Sequence, residues 1–167
     1  MGDTGRFVIQ KHAARRLHYD FRLEVQGVYR SWAVPKGPSM NPRDKRLAVA
    51  VEDHPLSWGN FEGVIATGYG AGTVQIWDRG TYRNTSERAG EPIGIAAALE
   101  SGHATFELRG EKLRGGFSLT RLRRKGQDSW ILQKLRDTDA EWEGDILLQR
   151  PGSVESGRTI EEIAAKG

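Results

Sequence analysis

Hydrophobic and polar residues alternate without a break between positions 16 and 25, near the start of the chain. The odd positions are all apolar or aromatic, and the even positions carry Arg16, His18, Asp20, Arg22 and Glu24. A repeat of two is typical of a half-buried β-strand, whose successive side chains point to opposite faces. The pattern therefore predicts a strand whose polar face brings imidazole, carboxylate and guanidinium groups together.

Similar short runs follow along the chain, and glycine and proline separate them. A second alternating run, over residues 28–34, comes after Gln26 and Gly27, so the two runs predict a β-hairpin. Further runs predict strands over residues 7–11, 46–52, 73–77, 81–83, 103–108, 116–122 and 129–135. Short strands at near-regular spacing predict an all-β domain with one or two short helices, folded as a small barrel or a sandwich.

Two of these segments carry more specific expectations. Within residues 46–52 the alternation places Leu47, Val49 and Val51 on the apolar face and Arg46 on the polar one. His54 joins Arg46 on the polar face if the strand extends that far. Residues 78–80, Asp-Arg-Gly, predict a turn between two strands.

The helical signals are few and short. Residues 92–101 predict a helix, because Pro92 stands near its first turn and Gly102 just past its end. Thr159 and Glu162 match a capping box for a second helix near the C-terminus. We expect one domain over residues 1–167, with a flexible N-terminus at 1–6 and a loop and short helix over 151–167.

Composition limits the kinds of chemistry. The chain has 167 residues and no cysteine, so disulfides, thiolate metal sites and a cysteine nucleophile are excluded. It contains neither an apolar run of membrane-spanning length nor a signal peptide, and we expect a cytoplasmic, nucleoid-associated protein. The net charge of +3 permits a polyanionic partner without establishing one.

Histidine and aspartate in the first strand suggest a metal site. His18 and Asp20 share a face about 7 Å apart, and His12 reaches them if the chain bends back near Ala13. Two imidazoles and a carboxylate would leave positions open for water and a phosphate oxygen. A solvated strand face explains the same residues equally simply, and spacing alone leaves both interpretations open.

Two cationic or titratable residues have similar alternatives. Arg22 could bind phosphate through both arms of its guanidinium, or form a surface ion pair with Glu24 or Glu52. His54 could protonate a leaving oxygen or bond a phosphate oxygen, or it could simply cap a turn. A basic cluster at residues 121–125 fits either a solvated turn or a nucleic-acid backbone contact.

Four motifs taken in order resemble one known family. Residues 7–24, 31–39, 45–49 and 52–56 closely resemble the 3′-phosphoesterase domain of bacterial DNA ligase D, which repairs double-strand breaks by non-homologous end joining. The resemblance continues at 61–63, 77–78, 80–81 and 132–134, so it covers most of the chain. It implies a compact small β-barrel with a manganese-dependent site that removes 3′-phosphate, and in some members a 3′-ribonucleoside, from a DNA primer strand.

The resemblance also assigns roles to individual residues. It implies that the metal ligands are His12, His18 and Asp20, and that the ion is Mn²⁺, with Zn²⁺ and Co²⁺ as alternatives. It implies that the catalytic residues contacting the scissile phosphate are Arg22, Arg46 and His54. Neighbouring substrate-binding positions fall on Lys36, Gln10 and Trp58.

The chain departs from the family pattern at three places. Trp58 stands where the family commonly has a tyrosine, and an indole can neither accept a hydrogen bond nor ionise. The glycine-rich segment 65–70 is shorter by one residue. Only six residues precede Phe7, so we expect phosphate removal ahead of ribonucleoside removal.

These observations lead to a functional hypothesis and a rival. The hypothesis is a stand-alone, metal-dependent 3′-end-processing phosphoesterase acting on DNA with a 3′-phosphate or 3′-ribonucleotide end. Its partners would be a separate ATP-dependent DNA ligase, a primase-polymerase or Ku, with no membrane involved. The rival is a catalytically weak or inactive DNA-end-binding module that recruits a ligase or polymerase and binds more weakly as salt rises.

Overall fold

A computed structural model describes residues 3–68, 71–123 and 126–166. The glycine-rich segment and the basic cluster noted in the sequence each lie partly outside these residues. Strands make up most of the chain: β1 Thr4–Ala13, β2 Leu17–Val25, β3 Val28–Val34, β4 Arg46–Pro55, β5 Gly63–Ile65, β6 Gly72–Asn84, β7 Glu87–Arg88, β8 Glu91–Pro92, β9 His103–Gly110, β10 Arg114–Arg121 and β11 Ser129–Lys134. The helices are short: a 3₁₀-helix Leu56–Asn60, α1 Ile95–Ser101, α2 Ile146–Gln149 and α3 Ile160–Lys166.

Eight of the strands close into an antiparallel barrel. Their order is β1-β2-β3-β4-β11-β10-β9-β6, and β6 pairs back onto β1 to complete the ring. The short strand β5 adds to the first half of β6, whereas β9 pairs with the second half. Closure leaves few unpaired backbone groups at strand edges, and the predicted small β-barrel is confirmed.

Large side chains from the alternating strands fill the barrel. Trp32, Trp77 and Trp130 are fully buried there. Phe21 lies between Trp32 and Phe106, with ring centroids about 6 Å from each. The apolar parity of β2 therefore faces the core, and its polar parity faces outwards, as its alternation predicted.

The predicted turn at residues 78–80 is wrong, because β6 runs straight through it. Gly80 pairs with Phe7 on β1 and with Gly110 on β9. Asp78 is fully buried, and its carboxylate accepts hydrogen bonds from three backbone amides, those of residues 111–113. These residues have the composition of a turn, but here Gly80 allows close packing of strands and Asp78 caps the neighbouring loop.

Strand β4 also differs from its predicted pattern. Tyr29 on β3 pairs with His54, whereas Ser31, two residues later, pairs with Val51, so β4 contains one extra residue. Val51 is 41% exposed and Ala48 is fully buried. The apolar face of the sequence pattern, Leu47, Val49 and Val51, therefore points outwards, because Ala48 and Ala50 pair with the buried Trp130 and Trp32 and share their inward face. The bulge lies after these residues, between Val51 and His54.

The N-terminal segment and helix α1 also differ from their predicted structure, whereas the C-terminal capping box agrees with it. β1 begins at Thr4, so the expected flexible segment at residues 1–6 is wrong over 4–6. Helix α1 begins at Ile95 because Pro92 pairs in β8 instead. The predicted capping box is present, since the Glu162 amide donates to the Thr159 hydroxyl and the Glu162 carboxylate accepts from the Thr159 amide. Within the described residues, no helix combines the length and the apolar character needed to cross a membrane.

Candidate active site

Three potential metal ligands meet on the outer face of β1 and β2. His12 lies opposite His18 in the register of the hairpin, and Asp20 follows two residues later on the same face. The Asp20 Oδ2 atom lies 3.3 Å from His18 Nε2 and 3.7 Å from His12 Nδ1. One ligand atom from each residue falls within 4.8 Å of the others. The bend between β1 and β2 thus brings His12 to the pair, as the sequence analysis required.

These three residues fit a divalent metal ion. Ligand atoms about 2.0–2.2 Å from a common ion lie roughly 3–4 Å from one another, which matches the observed separations. Imidazole and carboxylate ligands suit first-row metals such as manganese, zinc and cobalt. The His18 Nδ1 atom lies 3.0 Å from the Arg16 carbonyl oxygen, an arrangement that orients the ring with Nε2 towards Asp20.

The electrostatics of the cluster keep Asp20 ionised. Burial alone would raise its pKa, but hydrogen bonds from His12 and His18 and the positive charge of Arg22 outweigh burial and hold the pKa well below its ordinary value. The hydrogen bond with Asp20 raises the pKa of His18 in turn, against the opposing effect of burial. A carboxylate that stays charged across the physiological pH range is a suitable metal ligand.

Arg22 occupies the centre of the polar network beside this cluster. Its Nε donates to the Gln10 side-chain oxygen at 2.7 Å, and its Nη1 donates to the Ser31 hydroxyl at 2.9 Å. Its Nη2 lies 3.5 Å from Asp20 Oδ2. With a side chain only 4% exposed, Arg22 is therefore held in one orientation next to the metal ligands, and its surface ion-pair alternative with Glu24 or Glu52 is not observed.

His54 reaches the same network from the end of β4. Its Nδ1 atom lies 3.2 Å from Arg22 Nη1 and 3.0 Å from the Glu52 carbonyl oxygen. Burial and the nearby charge of Arg22 lower the pKa of His54, so the ring is neutral at physiological pH. Both contacts use Nδ1, and Nε2 is the nitrogen that would meet a ligand in the cleft.

The metal ligands, Arg22 and His54 line a single cleft of about 1260 Å³. Its lining also includes apolar residues, among them Trp58, whose indole ring is stacked on Phe61 with centroids 4.9 Å apart. Trp58 lies 6.0 Å from the His54 ring, between centroids. The predicted substrate-binding position of Trp58 is therefore adjacent to the polar cluster.

Gln10 connects Arg22 to the segment that carries Trp58 and Phe61. The Gln10 side chain is fully buried and accepts from Arg22, while its amide nitrogen donates to the backbone oxygens of Trp58 and Phe61. A single amide group thus fixes the aromatic segment relative to the guanidinium. Gln10 positions other residues and does not itself line the cleft formed by the described residues.

Two residues of the predicted site lie elsewhere. Arg46 is directed towards Asp44, with Nη2 3.6 Å from the carboxylate, and Lys36 is exposed in the loop after β3. Neither lines the cleft that the described residues form. The bulge explains the separation, because it puts Arg46 and His54 out of the shared alternation that the sequence suggested.

The sequence analysis did not identify several residues of the cleft. Ser31 anchors Arg22, and its position directly opposite Arg22 in the predicted hairpin is a signal that could have identified it. Arg15 and Arg16, both exposed, also line the cleft. Phe61 directly follows the 3₁₀-helix and Val64 lies in the three-residue strand β5, and both elements are too short for a periodicity that would predict the direction of these side chains.

Comparison with known proteins gives one consistent family. Residues 10–121 match the family model described as the DNA Ligase D 3′-phosphoesterase domain. Over 160 residues the chain is 50% identical to the multifunctional non-homologous end joining protein LigD of Pseudomonas aeruginosa, an alignment covering 93% of this chain and 18% of that protein. Over 137 residues it is 44% identical to the multifunctional non-homologous end joining DNA repair protein LigD of Mycobacterium tuberculosis, covering 81% of this chain and 17% of that protein.

The extent of these matches decides what they establish. The chain spans less than a fifth of the length of either relative, so the similarity concerns one domain of those proteins. Within the chain, the family model covers well over half of the residues, including the metal cluster, Arg22 and His54. The resemblance inferred from sequence motifs is thereby confirmed, and the chain belongs to the DNA Ligase D 3′-phosphoesterase domain family.

Proposed function

We propose that this chain is a metal-dependent phosphoesterase that removes a 3′-phosphate from a DNA primer strand during double-strand break repair. The observation that carries the proposal is the convergence of a three-residue metal cluster with Arg22 and His54 in one cleft. Family membership supports the same role, as do the names of relatives that act in non-homologous end joining. Removal of a 3′-ribonucleoside would use the same groups.

The cofactor we propose is a divalent cation, Mn²⁺ first and Zn²⁺ or Co²⁺ as alternatives. His12, His18 and Asp20 would hold it. When bound, such an ion supplies Lewis acidity towards a phosphate oxygen and acidifies water. The ionised state of Asp20 and the fixed ring of His18 prepare the chain for that ligand.

Arg22 would neutralise negative charge on the phosphate. Its guanidinium is planar and remains protonated, and Gln10 and Ser31 fix its orientation before any substrate arrives. Preorganised donors of this kind stabilise a transition state more than mobile ones, because they need no rearrangement as charge develops. Ser31 and Gln10 therefore act through Arg22 as positioning residues.

His54 would donate a hydrogen bond at the scissile group. Of the two groups beside Nδ1, the Arg22 guanidinium can only donate and the Glu52 carbonyl oxygen can only accept. In the tautomer in which Nδ1 accepts from Arg22, Nε2 carries the proton. That proton would be donated to a phosphate oxygen or to the leaving 3′-oxygen. We assign no step to Arg46 or Lys36, which do not line the cleft that the described residues form.

The test is phosphate release from a 3′-phosphorylated primer-template in the presence of Mn²⁺. We expect His12→Ala and His54→Ala each to reduce the rate at least ~100-fold, the usual contribution of a positioned acid–base group. His103→Ala is the matched control, since His103 is exposed, bonds only Thr120 among the described contacts and lies outside the cleft. Full activity in the His12 variant would contradict the proposal.

The same assay distinguishes the rival function. A non-catalytic module that recruits a ligase or polymerase to DNA ends would bind the primer-template and release no phosphate with any of the three metals. In either role we propose DNA ends as the ligand and a ligase, a primase-polymerase or Ku as partners in the same repair. Titration of binding against salt then measures the phosphate contacts.

A further inference from the structure

The cleft has an apolar half that the proposed phosphate chemistry does not use. Val51 and Val64 remain 41% and 39% exposed on its wall, beside Trp58 and Phe61. Large apolar side chains elsewhere in the described residues are mostly buried. An exposed apolar surface next to convergent polar groups is characteristic of a ligand site.

The aromatic part of this wall is held at a fixed distance from the phosphate-binding groups. Trp58 and Phe61 are nearly parallel, with an angle of 14° between their ring planes. Gln10 bonds both of their backbone oxygens and, through the same amide group, Arg22. One buried amide group therefore fixes the segment that carries Trp58 and Phe61 relative to the guanidinium, which suits a ligand that carries a phosphate at a set distance from an apolar group.

The dimensions and charges of the cleft narrow the choice of ligand. A volume of about 1260 Å³ is far larger than a phosphate group requires. Arg15 and Arg16, both exposed, also line the cleft and supply positive charge for a further phosphate. A polynucleotide end combines a terminal phosphate, a flat base and a preceding phosphate, and it matches all three parts of the cleft.

We propose that the wall formed by Val51, Trp58, Phe61 and Val64 binds the nucleoside that bears the 3′-phosphate. The wall would select a DNA end with an intact terminal base over a phosphate end that lacks one. This inference rests on the proposed function of the same cleft and specifies its substrate. Base contacts of this kind tolerate any sequence, because every base offers an apolar face.

The test compares two DNA duplexes of identical sequence by fluorescence anisotropy, without divalent metal so that binding is measured apart from turnover. One duplex ends in a 3′-phosphorylated nucleotide, and the other ends in a 3′-phosphorylated abasic deoxyribose. We expect the base-bearing end to bind about tenfold more tightly, as contact of one base with an aromatic wall provides.

Substitutions at the wall test whether the preference for a base-bearing end arises there. The double variant Val51→Ser, Val64→Ser removes the aliphatic part of the wall and leaves Trp58 and Phe61 in place. It should lose part of the tenfold preference and keep its affinity for the abasic end. Leu148→Ser is the matched control, because Leu148 is 80% exposed and lies outside the cleft. That variant should keep the preference unchanged.

Equal affinity of the native protein for the two ends would overturn the inference, as would an undiminished preference in the double variant. Phosphate release is measured separately on both duplexes with Mn²⁺. Discrimination without hydrolysis would overturn the proposed function and keep this inference. Hydrolysis by a protein that binds both ends equally would overturn this inference and keep the proposed function.

Discussion

Arg22 is the residue on which the polar half of the cleft depends. Burial lowers its pKa, but the opposing charge of Asp20 and the high intrinsic basicity of a guanidinium keep it protonated. Its fork contacts Gln10 and Ser31 on one side and lies beside Asp20 and His54 on the other. A lysine has no planar fork and could not replace these contacts together.

Substitution of Gln10 tests whether the site depends on this positioning. Gln10→Ala removes the acceptor of the Arg22 Nε–H and the donor to two backbone oxygens. We expect a loss of about 2–4 kcal/mol in the free energy of unfolding, because a buried charged donor loses its partner. Urea unfolding measures the loss, and weaker binding of 3′-phosphorylated DNA should accompany it.

Gln75→Ala provides a matched control for that prediction. Gln75 is equally buried and donates to two backbone oxygens, those of Pro151 and Arg158, but neither of these partners lines the cleft. This variant should also lose stability and yet bind phosphorylated DNA as the native chain does. Equal weakening of DNA binding in both variants would show that Gln10 acts only through general stability.

At the scale of the element, strand β2 was predictable and β4 was not. The alternation in β2 is strict, so the sequence alone placed His18, Asp20 and Arg22 on one face. In β4 the small residues Ala48 and Ala50 face the core opposite Trp130 and Trp32, and the extra residue after Val51 then puts His54 on the opposite face from Arg46. Alternation shows which neighbouring side chains share a face, whereas a bulge depends on the partner strand. The position of Arg46 relative to His54 could therefore not be predicted.

Glycines at strand crossings were similarly misleading. Residues 78–80 have the composition of a turn, yet Gly80 lies where β6 is paired with β1 and β9 at once. A Cβ atom there would lie only 2.0 Å from the Arg109 backbone oxygen. The glycine is needed for close approach of two strands, and sequence alone does not distinguish this use from a turn.

Gly80→Ala should therefore be strongly destabilising. The clash is with backbone, which cannot move without disturbing the β6–β9 pairing, and we expect a loss of at least about 2 kcal/mol. Gly94→Ala is the control, because a Cβ at Gly94 meets nothing within 4 Å, and as a helix N-cap it should cost no more than about 1 kcal/mol. Urea unfolding of the two variants compares them, and similar midpoints would contradict the expected clash.

At the scale of the whole molecule, the barrel buries phenols as well as indoles. Burial raises the pKa of Tyr19 to about 12, and nearby Asp145 and Glu161 add to the effect. Burial also raises the pKa of Tyr82, whose hydroxyl donates to the Glu24 carbonyl oxygen at 2.6 Å. These side chains remain neutral in the folded protein under conditions that ionise them in the unfolded chain.

This difference predicts alkaline unfolding. A group whose pKa is raised on folding contributes stability that is complete below its unfolded pKa, about 10 for tyrosine, and is lost as pH rises towards its folded value. Lys112 acts oppositely at lower pH, since burial lowers its pKa to about 8 and its contribution improves as the ammonium group loses its proton. We therefore expect stability to rise modestly above about pH 8, as Lys112 loses its proton, and to fall steeply above about pH 10, as the contribution of the tyrosines is lost.

Urea midpoints measured across that range, together with phenolate absorbance, test the expectation. As pH rises, the phenolate absorbance of the folded protein should increase later than that of the unfolded chain. The buried tyrosines should then ionise when the protein unfolds. Tyr19→Phe should flatten the alkaline fall, because it removes one of the two most strongly shifted phenols while keeping its ring in the core. A variant as sensitive to alkali as the native chain would assign the loss to other groups and would contradict the role of Tyr19.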